Sequence, residues 1–472
     1  MKKCVYEKLN TIYPITMKRN FIVVGDIILD HNIFTTVQTP KLKDYATEHN
    51  FLYDEYKLGG CGNVVSNLQS IGADSIFLCS AIGDDEHGRK IESILQSLNI
   101  PNYLKKVPGY HTTTKHRYYH DASVVFQQDN YINKEILSSI SFCDVIETIL
   151  QTVAIDCIIL CESEKSSKGL MSPEHCKNLI SLANRYSIPT LVDPKEDIEK
   201  YTECTLMKPN KDEACSLLKI DIDTPILDIH MRIRNELQCK YSVITLSEEG
   251  ASVFDGKDEF RYVHPGPLHI VDPIGGGDIV TSILCFFFNS IPIQKSMMIA
   301  VHLASISGEQ PGVVTASRKN IIEYVFPSKL VTKDDLQIFS LLFANRLVGV
   351  TTGCFDLLHE GHTMCLQWCK KQCDILIVCI NSDSSVRSLK GATRPIQLLS
   401  CRIDALRSLQ YVDYIIPFDE NDASSILAIL RPNIFLKGGD YSTKQMVESE
   451  FAGETRIGPY LEGVSTTLLI GK

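Results

Sequence analysis

Two runs of this chain combine residue types and spacing that suit phosphate chemistry. The first is Asp272-Pro-Ile-Gly275-Gly276-Gly277-Asp278, which leads into the apolar stretch Ile279 to Phe288. Three glycines ahead of a helix let backbone N–H groups approach a phosphate, and the helix N-terminus adds partial positive charge. Asp278 then falls in the first helical turn. There it can take a proton from an attacking hydroxyl while the amides stabilise charge on a transferred phosphoryl group. Read alone, the same run also fits a glycine-rich turn with Asp278 as a helix cap. The second run is Thr351-Thr-Gly353-Cys-Phe355-Asp356-Leu-Leu-His359-Glu-Gly361-His362. Two histidines three apart can present imidazole N–H groups near a helix N-terminus, an array that suits the α-phosphate of a nucleotide, where attack by a second phosphate expels pyrophosphate; the plain alternative is two histidines that merely start a helix. That chemistry needs alignment and charge stabilisation but no covalent intermediate. His-x-x-His with no Cys or Glu-x-x-His pattern beside it does not make a zinc site.

The elements that must position these runs are those of an α/β protein. Phe21 to Val24, Ser75 to Cys79, Cys157 to Leu160, Thr190 to Val192 and Ser242 to Leu246 are apolar, β-branched runs. They read as buried strands of a largely parallel sheet, with helical patterns such as Pro173 to Tyr186 between them. From Lys105 to Tyr131 polar and β-prone residues alternate, which predicts a small antiparallel flap. A new strand series follows: Leu347 to Thr351, Ile375 to Ile380, Tyr414 to Pro417 and Ile434 to Lys437. It predicts a second, Rossmann-like doubly wound domain. The expected division is a first domain over 18–327, a linker over 328–345 and a second domain over 346–472.

Composition is that of a soluble globular protein. The 472 residues are 44% hydrophobic and 22% charged, a balance that supports two sizeable cores. A net charge of -10 argues against a nucleic-acid binder, which needs an excess of Lys and Arg. Met1 to Asn20 carries no apolar core of a secretory signal, and no run of about 18 apolar residues offers a membrane span, so the expectation is a cytoplasmic protein without membrane partners. The 17 cysteines are scattered through apolar stretches and read as buried free thiols. Cys365, Cys369 and Cys373 recur every four residues without a CxxC pair, a pattern that favours core packing over a metal.

Further residues connect these runs to known families. Asp30 after the first strand, Gly59-Gly60-Cys-Gly62-Asn63 before a helix and Lys208-Pro-Asn210-Lys-Asp-Glu213 stand in the order found in ribokinase (PfkB-type) sugar kinases, which residues 20 to 325 resemble. The resemblance implies that Asp278 is the catalytic base and that Gly275, Gly276 and Gly277 form the anion hole. It further implies that Asp30, Gly60 and Asn63 hold sugar hydroxyls, while Asn210 and Glu213 organise Mg²⁺ and the ATP phosphates. Lys115 and Arg117 would bind the sugar phosphate, and Thr245 and Gly250 would border the nucleotide. It admits a monovalent cation beside Mg²⁺, and a homodimer through the flap. Departures from the pattern are Pro273 and Gly276 in the glycine run and Ser247, where the family commonly has Gly.

The second run resembles the HxGH nucleotidyltransferases of the cytidylyltransferase-like branch. Lys390-Gly-Ala-Thr-Arg394-Pro395, Arg402, Lys437-Gly-Gly-Asp440-Tyr441 and Val464-Ser465-Thr466-Thr467 are similar to the adenylyltransferase half of the bifunctional heptose 7-phosphate kinase and heptose 1-phosphate adenylyltransferase. This implies that His359, His362, Ser465, Thr466 and Thr467 contact nucleotide phosphates, that Gly353 and Phe355 border the nucleotide, and that Asp356 and Asp440 face the substrate. Arg402 and Lys437 are candidate phosphate ligands by charge, with a surface ion pair or solvated Lys as the ordinary alternative. The expected function is ATP-dependent phosphorylation of D-glycero-β-D-manno-heptose 7-phosphate at C1, followed by transfer of AMP to heptose 1-phosphate. Two other readings stay open: a nucleotidyltransferase for another sugar or polyol phosphate, with ATP or CTP, beside a degenerate kinase domain, and a nucleotide- or sugar-binding sensor in which neither site turns over.

Overall fold

A computed structural model describes residues 18–37, 49–120, 123–130, 134–163, 169–264, 274–309, 312, 314–438 and 446–459. They form two compact units, one over Lys18–Ile321 and one that takes up the chain from Ile322.

In the first unit the strands are β1 (Asn20–Gly25), β2 (Ile27–Val37), β3 (His49–Gly60), β4 (Ser75–Gly83), β5 (Asn102–Val107), β6 (Thr114–His120) and β7 (Ser123–Asn130). They continue with β8 (Cys157–Cys161), β9 (Thr190–Asp193), β10 (Leu206–Met207), β11 (Tyr241–Thr245), β12 (Ala251–Phe254) and β13 (Glu259–Tyr262). Nine of them make the main sheet, in the order β13-β12-β11-β10-β9-β8-β1-β4-β5. Every neighbouring pair from β5 to β11 is parallel, and β12 and β13 turn antiparallel at one edge. β1 and β8 are buried along their whole length, as strands covered on both faces must be. Helix Gly276–Phe287 is buried from Ile279 to Phe287, an apolar run in which the two polar residues, Thr281 and Ser282, are buried as well.

The flap is a four-stranded sheet in the order β3-β2-β6-β7, and it corrects the expectation of an antiparallel one. Its outer pairs β2/β3 and β6/β7 are antiparallel, but the central pair is parallel, from Leu29↔Thr114 to Thr35↔His120. Alternation along a strand reports which face is buried and carries no information on the direction of the neighbour. The flap also draws two of its strands from residues 27–60, well upstream of the region that looked flap-like, while β5 belongs to the edge of the main sheet.

The second unit holds β14 (Val348–Gly353), β15 (Ile375–Asn381), β16 (Tyr414–Phe418), β17 (Ile434–Lys437) and β18 (Glu454–Ile457), all parallel in the order β16-β15-β14-β17-β18. The chain steps outward from β14 in one direction and then in the other, so the ends of β14 and β17 flank a topological switch point, the place where such sheets bind ligands. The stretch 328–345, read from sequence as a linker, packs into this unit. Leu330 bridges to Ile415, the Val331 N–H donates to the Ile415 carbonyl at 2.9 Å, and helix Leu336–Leu342 buries Leu336, Ile338 and Phe339. Phe339 meets Tyr414 edge-on, with ring centroids 4.9 Å apart. The cysteine repeat is a packing device. A Cβ at Gly438 would stand 2.5 Å from Cys365 Sγ and one at Gly349 would stand 2.7 Å from Cys373 Sγ, while Cys369 lies in the core. Among the described residues no helix is long and apolar enough to cross a membrane.

Candidate active sites

In the first unit a cavity of about 140 Å³ opens at the carboxyl ends of β8 and β9. It brings together residues drawn from four separate parts of the sequence: Asp30, Gly60 and Asn63, Lys115 and Arg117 from the flap, and Gly275 with Asp278. Gly60 has φ +57, and a Cβ there would lie 2.4 Å from the Asp26 carbonyl, so only glycine opens the helix that carries Asn63. Asn63 Nδ2 donates to Asp278 Oδ2 at 2.6 Å. Burial, helped by the nearby charge of Asp193, pushes the Asp278 carboxyl up to about 6, against the pull of Asn63, Lys208 and Lys195. A carboxylate with that affinity is suited to take a proton near neutral pH. Asp30 and Arg117 form a buried pair at 2.8 Å. Burial raises the Asp30 carboxyl, and the Arg117 guanidinium offsets part of that.

Gly275 adopts φ +84 as the N-cap, and Gly276 and Gly277 form the first turn of the helix that bears Asp278. Asn210 and Glu213 form a capping box: Asn210 Oδ1 accepts from the Glu213 N–H at 2.7 Å and Glu213 Oε2 from the Asn210 N–H at 2.8 Å. Thr245 lies beside Asn210 in an isolated parallel bridge. Gly250 has φ +84 and closes the turn after β11, where Ser247 also takes a left-handed φ of 53. Sequence reasoning gave no role to Lys208 and missed Asp193 and Lys195. Lys208 and Asp193 form a buried pair at 3.1 Å, a Cβ on Gly277 would come within 3.6 Å of Lys208 Nζ, and Lys195 pairs with Glu213. Asp193 and Lys195 follow directly from the end of β9, and an acidic residue at the carboxyl end of a parallel strand was the signal to read. Asp272 lies outside the described residues.

In the second unit β14 ends at Gly353, where a Cβ would meet the Phe355 ring at 2.9 Å. Phe355 itself turns the chain with φ +45, and His359 caps helix Glu360–Lys370. The rings of His359 and His362 lie side by side with centroids 3.8 Å apart, and Phe355 packs on His362 at 5.2 Å. Burial, with His359 and Lys390 adding to it, pushes His362 down to about 4, so it is a neutral N–H donor at physiological pH. Burial also lowers His359. Lys437, at the end of β17, donates to the carbonyl and hydroxyl of Thr352 at 3.0 and 2.6 Å, across the switch point from the histidines' loop.

Two expectations change here. Arg402 was a candidate phosphate ligand, yet its side chain has no exposure. Its guanidinium donates to the carbonyls of Gln397, Cys354 and Asn381 at 3.0, 2.6 and 2.8 Å and to Asp383 at 2.8 Å. With those groups satisfied it ties the Gly353–His362 loop to the end of β15, a positioning task. The carboxylate of Asp356, expected to face substrate, is occupied by Arg394 at 2.6 Å and by the N–H groups of Ile396 and Gln397 at 2.7 and 3.1 Å. It anchors the 394–397 loop. Asp440, Ser465, Thr466 and Thr467 lie outside the described residues.

Comparison with known proteins defines the class. Residues 18–320 match the model of the pfkB family carbohydrate kinases and residues 350–467 match that of the cytidylyltransferase-like domain. The fold is similar to that of a putative ribokinase from Agrobacterium tumefaciens, with TM-score 0.53 and 14% identity over 65% of this chain and 97% of that one. It is likewise similar to Arabidopsis thaliana ribokinase complexed with ribose and ATP, with TM-score 0.51 and 15% identity over 65% of this chain and 98% of that one. A carbohydrate kinase joined to a nucleotidyltransferase is the class these matches define. Over nearly its whole length the chain is also similar to proteins that carry both. It is 32% identical to the bifunctional protein HldE of Campylobacter curvus, over 96% of this chain and 98% of that protein. To HldE of Campylobacter concisus it is 33% identical, over 95% of this chain and 96% of that protein. The chain belongs to this HldE family, the bifunctional heptose kinases and adenylyltransferases.

Proposed function

We propose that the first unit phosphorylates D-glycero-β-D-manno-heptose 7-phosphate at C1 and that the second transfers AMP from ATP to heptose 1-phosphate. The observation that carries the first step is the shared cavity, in which sugar-side residues meet the Gly275–Asp278 turn. Asp278 takes the proton of the C1 hydroxyl, and the oxygen attacks the γ-phosphorus as ADP leaves. The amides of Gly276 and Gly277 and the Lys208 ammonium carry the charge on the transferred group. Asp30, Gly60 and Asn63 align the sugar, and Lys115 and Arg117 face its 7-phosphate. Mg²⁺ bound with ATP would sit by Asp193 and Glu213 and neutralise phosphate charge. Asp193 Oδ1 fits that role, since it is buried and has no hydrogen-bond partner among the described residues.

In the second unit the sugar 1-phosphate oxygen attacks the α-phosphorus of ATP and pyrophosphate leaves. His359, His362 and Lys437 hold the α-phosphate as charge moves onto it, and the family resemblance assigns nucleotide-phosphate contacts to Ser465, Thr466 and Thr467 as well. Between the steps a phosphatase must remove the 7-phosphate. ATP as donor for both steps places the work in the cytoplasm. The flap supports a homodimer: Phe51 and Phe126 are 63% and 56% exposed, with Leu52, Tyr53 and Val125 also exposed. Light scattering would then show Phe51→Ser/Phe126→Ser shifting from dimer to monomer.

Product analysis tests the assignment of substrates. Heptose 7-phosphate with Mg-ATP should yield ADP and the 1,7-bisphosphate, and heptose 1-phosphate should yield ADP-heptose and pyrophosphate. Faster turnover of another sugar phosphate, or of CTP in place of ATP, would contradict it.

A further inference from the structure

The corner after β8, Cys161–Ser163, has no part in the chemistry above, yet all three residues line the kinase cavity. Glu162 is buried and its carboxylate is fully taken up. Oε1 accepts from Lys200 Nζ at 2.6 Å, and Oε2 accepts from the Tyr201 hydroxyl at 2.9 Å and from the N–H groups of Lys195 and Glu196 at 2.8 and 3.1 Å. The two charged side chains are 1% and 0% exposed. An ion pair buried this deeply contributes little net stability compared with apolar packing, which directs attention to what it holds in place. Both amides belong to the turn after β9, from which the Lys195 side chain projects. From that turn Lys195 reaches the Glu213 carboxylate, in the same cavity as Asp193 and Asp278.

The next residue holds the opposite wall. Ser163 Oγ donates to the Asp26 carbonyl at 3.2 Å, and that carbonyl also accepts from the Cys61 N–H at 3.0 Å, at the start of the helix that carries Asn63. A Cβ at Gly60 would stand 2.4 Å from Ser163 Oγ. One corner therefore touches both the sugar end and the phosphate end of the cavity, with Glu162 on the phosphate side.

We infer that Glu162 is a positioning residue for phosphoryl transfer: with Lys200 and Tyr201 it fixes the Lys195–Glu196 turn so that the Lys195 ammonium stands at the phosphate end of the cavity. The inference rests on the reading of Asp278 as the base. Glu162 touches no reacting atom; it acts through Lys195, whose charge faces the phosphoryl group as it moves.

The test is steady-state ADP release by the full chain carrying Glu162→Gln, Lys195→Met, both together, Tyr201→Phe, Tyr201→Phe/Lys195→Met or Asp278→Asn, with thermal unfolding of each. Gln keeps the size of Glu162 but not its charge. Glu162→Gln should lower kcat about tenfold or more while the KM for sugar phosphate stays within about twofold, and the double variant should be no slower than Lys195→Met alone. Tyr201→Phe removes one hydrogen bond and should lower kcat less, in the same direction, and again without adding to Lys195→Met. If Glu162→Gln fails to fold, the Tyr201→Phe and Lys195→Met pair decides. Multiplicative losses, or a change confined to KM, overturn the inference. Wild-type turnover by Asp278→Asn overturns the base assignment and the inference with it; multiplicative losses beside an inactive Asp278→Asn overturn the inference alone.

Discussion

The two sites treat charge in opposite ways. Ion pairs of the kinase site put at least one member each on the cavity wall: Asp30 with Arg117, Asp193 with Lys208, Lys195 with Glu213 and Glu162 with Lys200, near a carboxyl raised to about 6. The nucleotidyltransferase site presents two imidazoles lowered by burial beside Lys437, while its ion pairs, Arg402 with Asp383 and Arg394 with Asp356, are spent on the scaffold. The difference follows from the reactions. A sugar hydroxyl must lose a proton to attack, so the kinase needs a base whose affinity is tuned by its neighbours. A sugar phosphate arrives already ionised, so the second site needs only donors and alignment.

Each prediction presses on that contrast, beginning with the largest effect. Asp278→Asn should cost the kinase about 10²- to 10⁴-fold in kcat, the span expected for loss of a general base. ATP binding, followed by calorimetry, should be largely kept. Arg402→Ala should destabilise the second unit by about 3–5 kcal/mol, because buried partners of a charged group are left unmatched. A phosphate ligand would instead show its loss in the KM for ATP with an unchanged unfolding midpoint, so chemical denaturation separates the roles. Third is the pH dependence of the kinase. Its kcat should fall as pH drops through about 6, where Asp278 takes up a proton. Asn63→Ala removes a hydrogen bond that favours the carboxylate, so the acid limb should move to higher pH, and the variant should lose more activity at the acid end than at the alkaline end. An unmoved limb would sever Asn63 from Asp278. The smallest effect concerns Ser247, whose φ of 53 suits glycine. Ser247→Gly should raise stability by at most about 1 kcal/mol, read as a small rise in unfolding midpoint.

Much of this was legible in the sequence because it depends on local order. Buried parallel strands announce themselves as apolar runs, and the glycine turn and the histidine pair each fit on one helix start. What escaped depends on distant partners. The parallel pairing of β2 with β6 joins residues about 85 apart, and alternation is blind to it. Strand β18, Glu-Thr-Arg-Ile, is half charged and takes its place only because β17 offers an edge. Arg402 was chosen by charge and Asp356 by its place in the motif, but neither tells whether a group faces a ligand or a ring of carbonyls and amides. The segment 328–345 looked like a connection because its start is polar; its apolar Leu336, Phe339 and Leu342 find their partners far along the chain.

If Asp278 is the kinase base and the second unit needs none, one chain holds two sites with separate chemistry. Measuring ADP release and pyrophosphate release on the same preparations of Asp278→Asn and His362→Ala tests it most directly. Asp278→Asn should lose ADP release and keep pyrophosphate release, and His362→Ala should do the reverse. Loss of both products in either variant, with both units still folded, would contradict it.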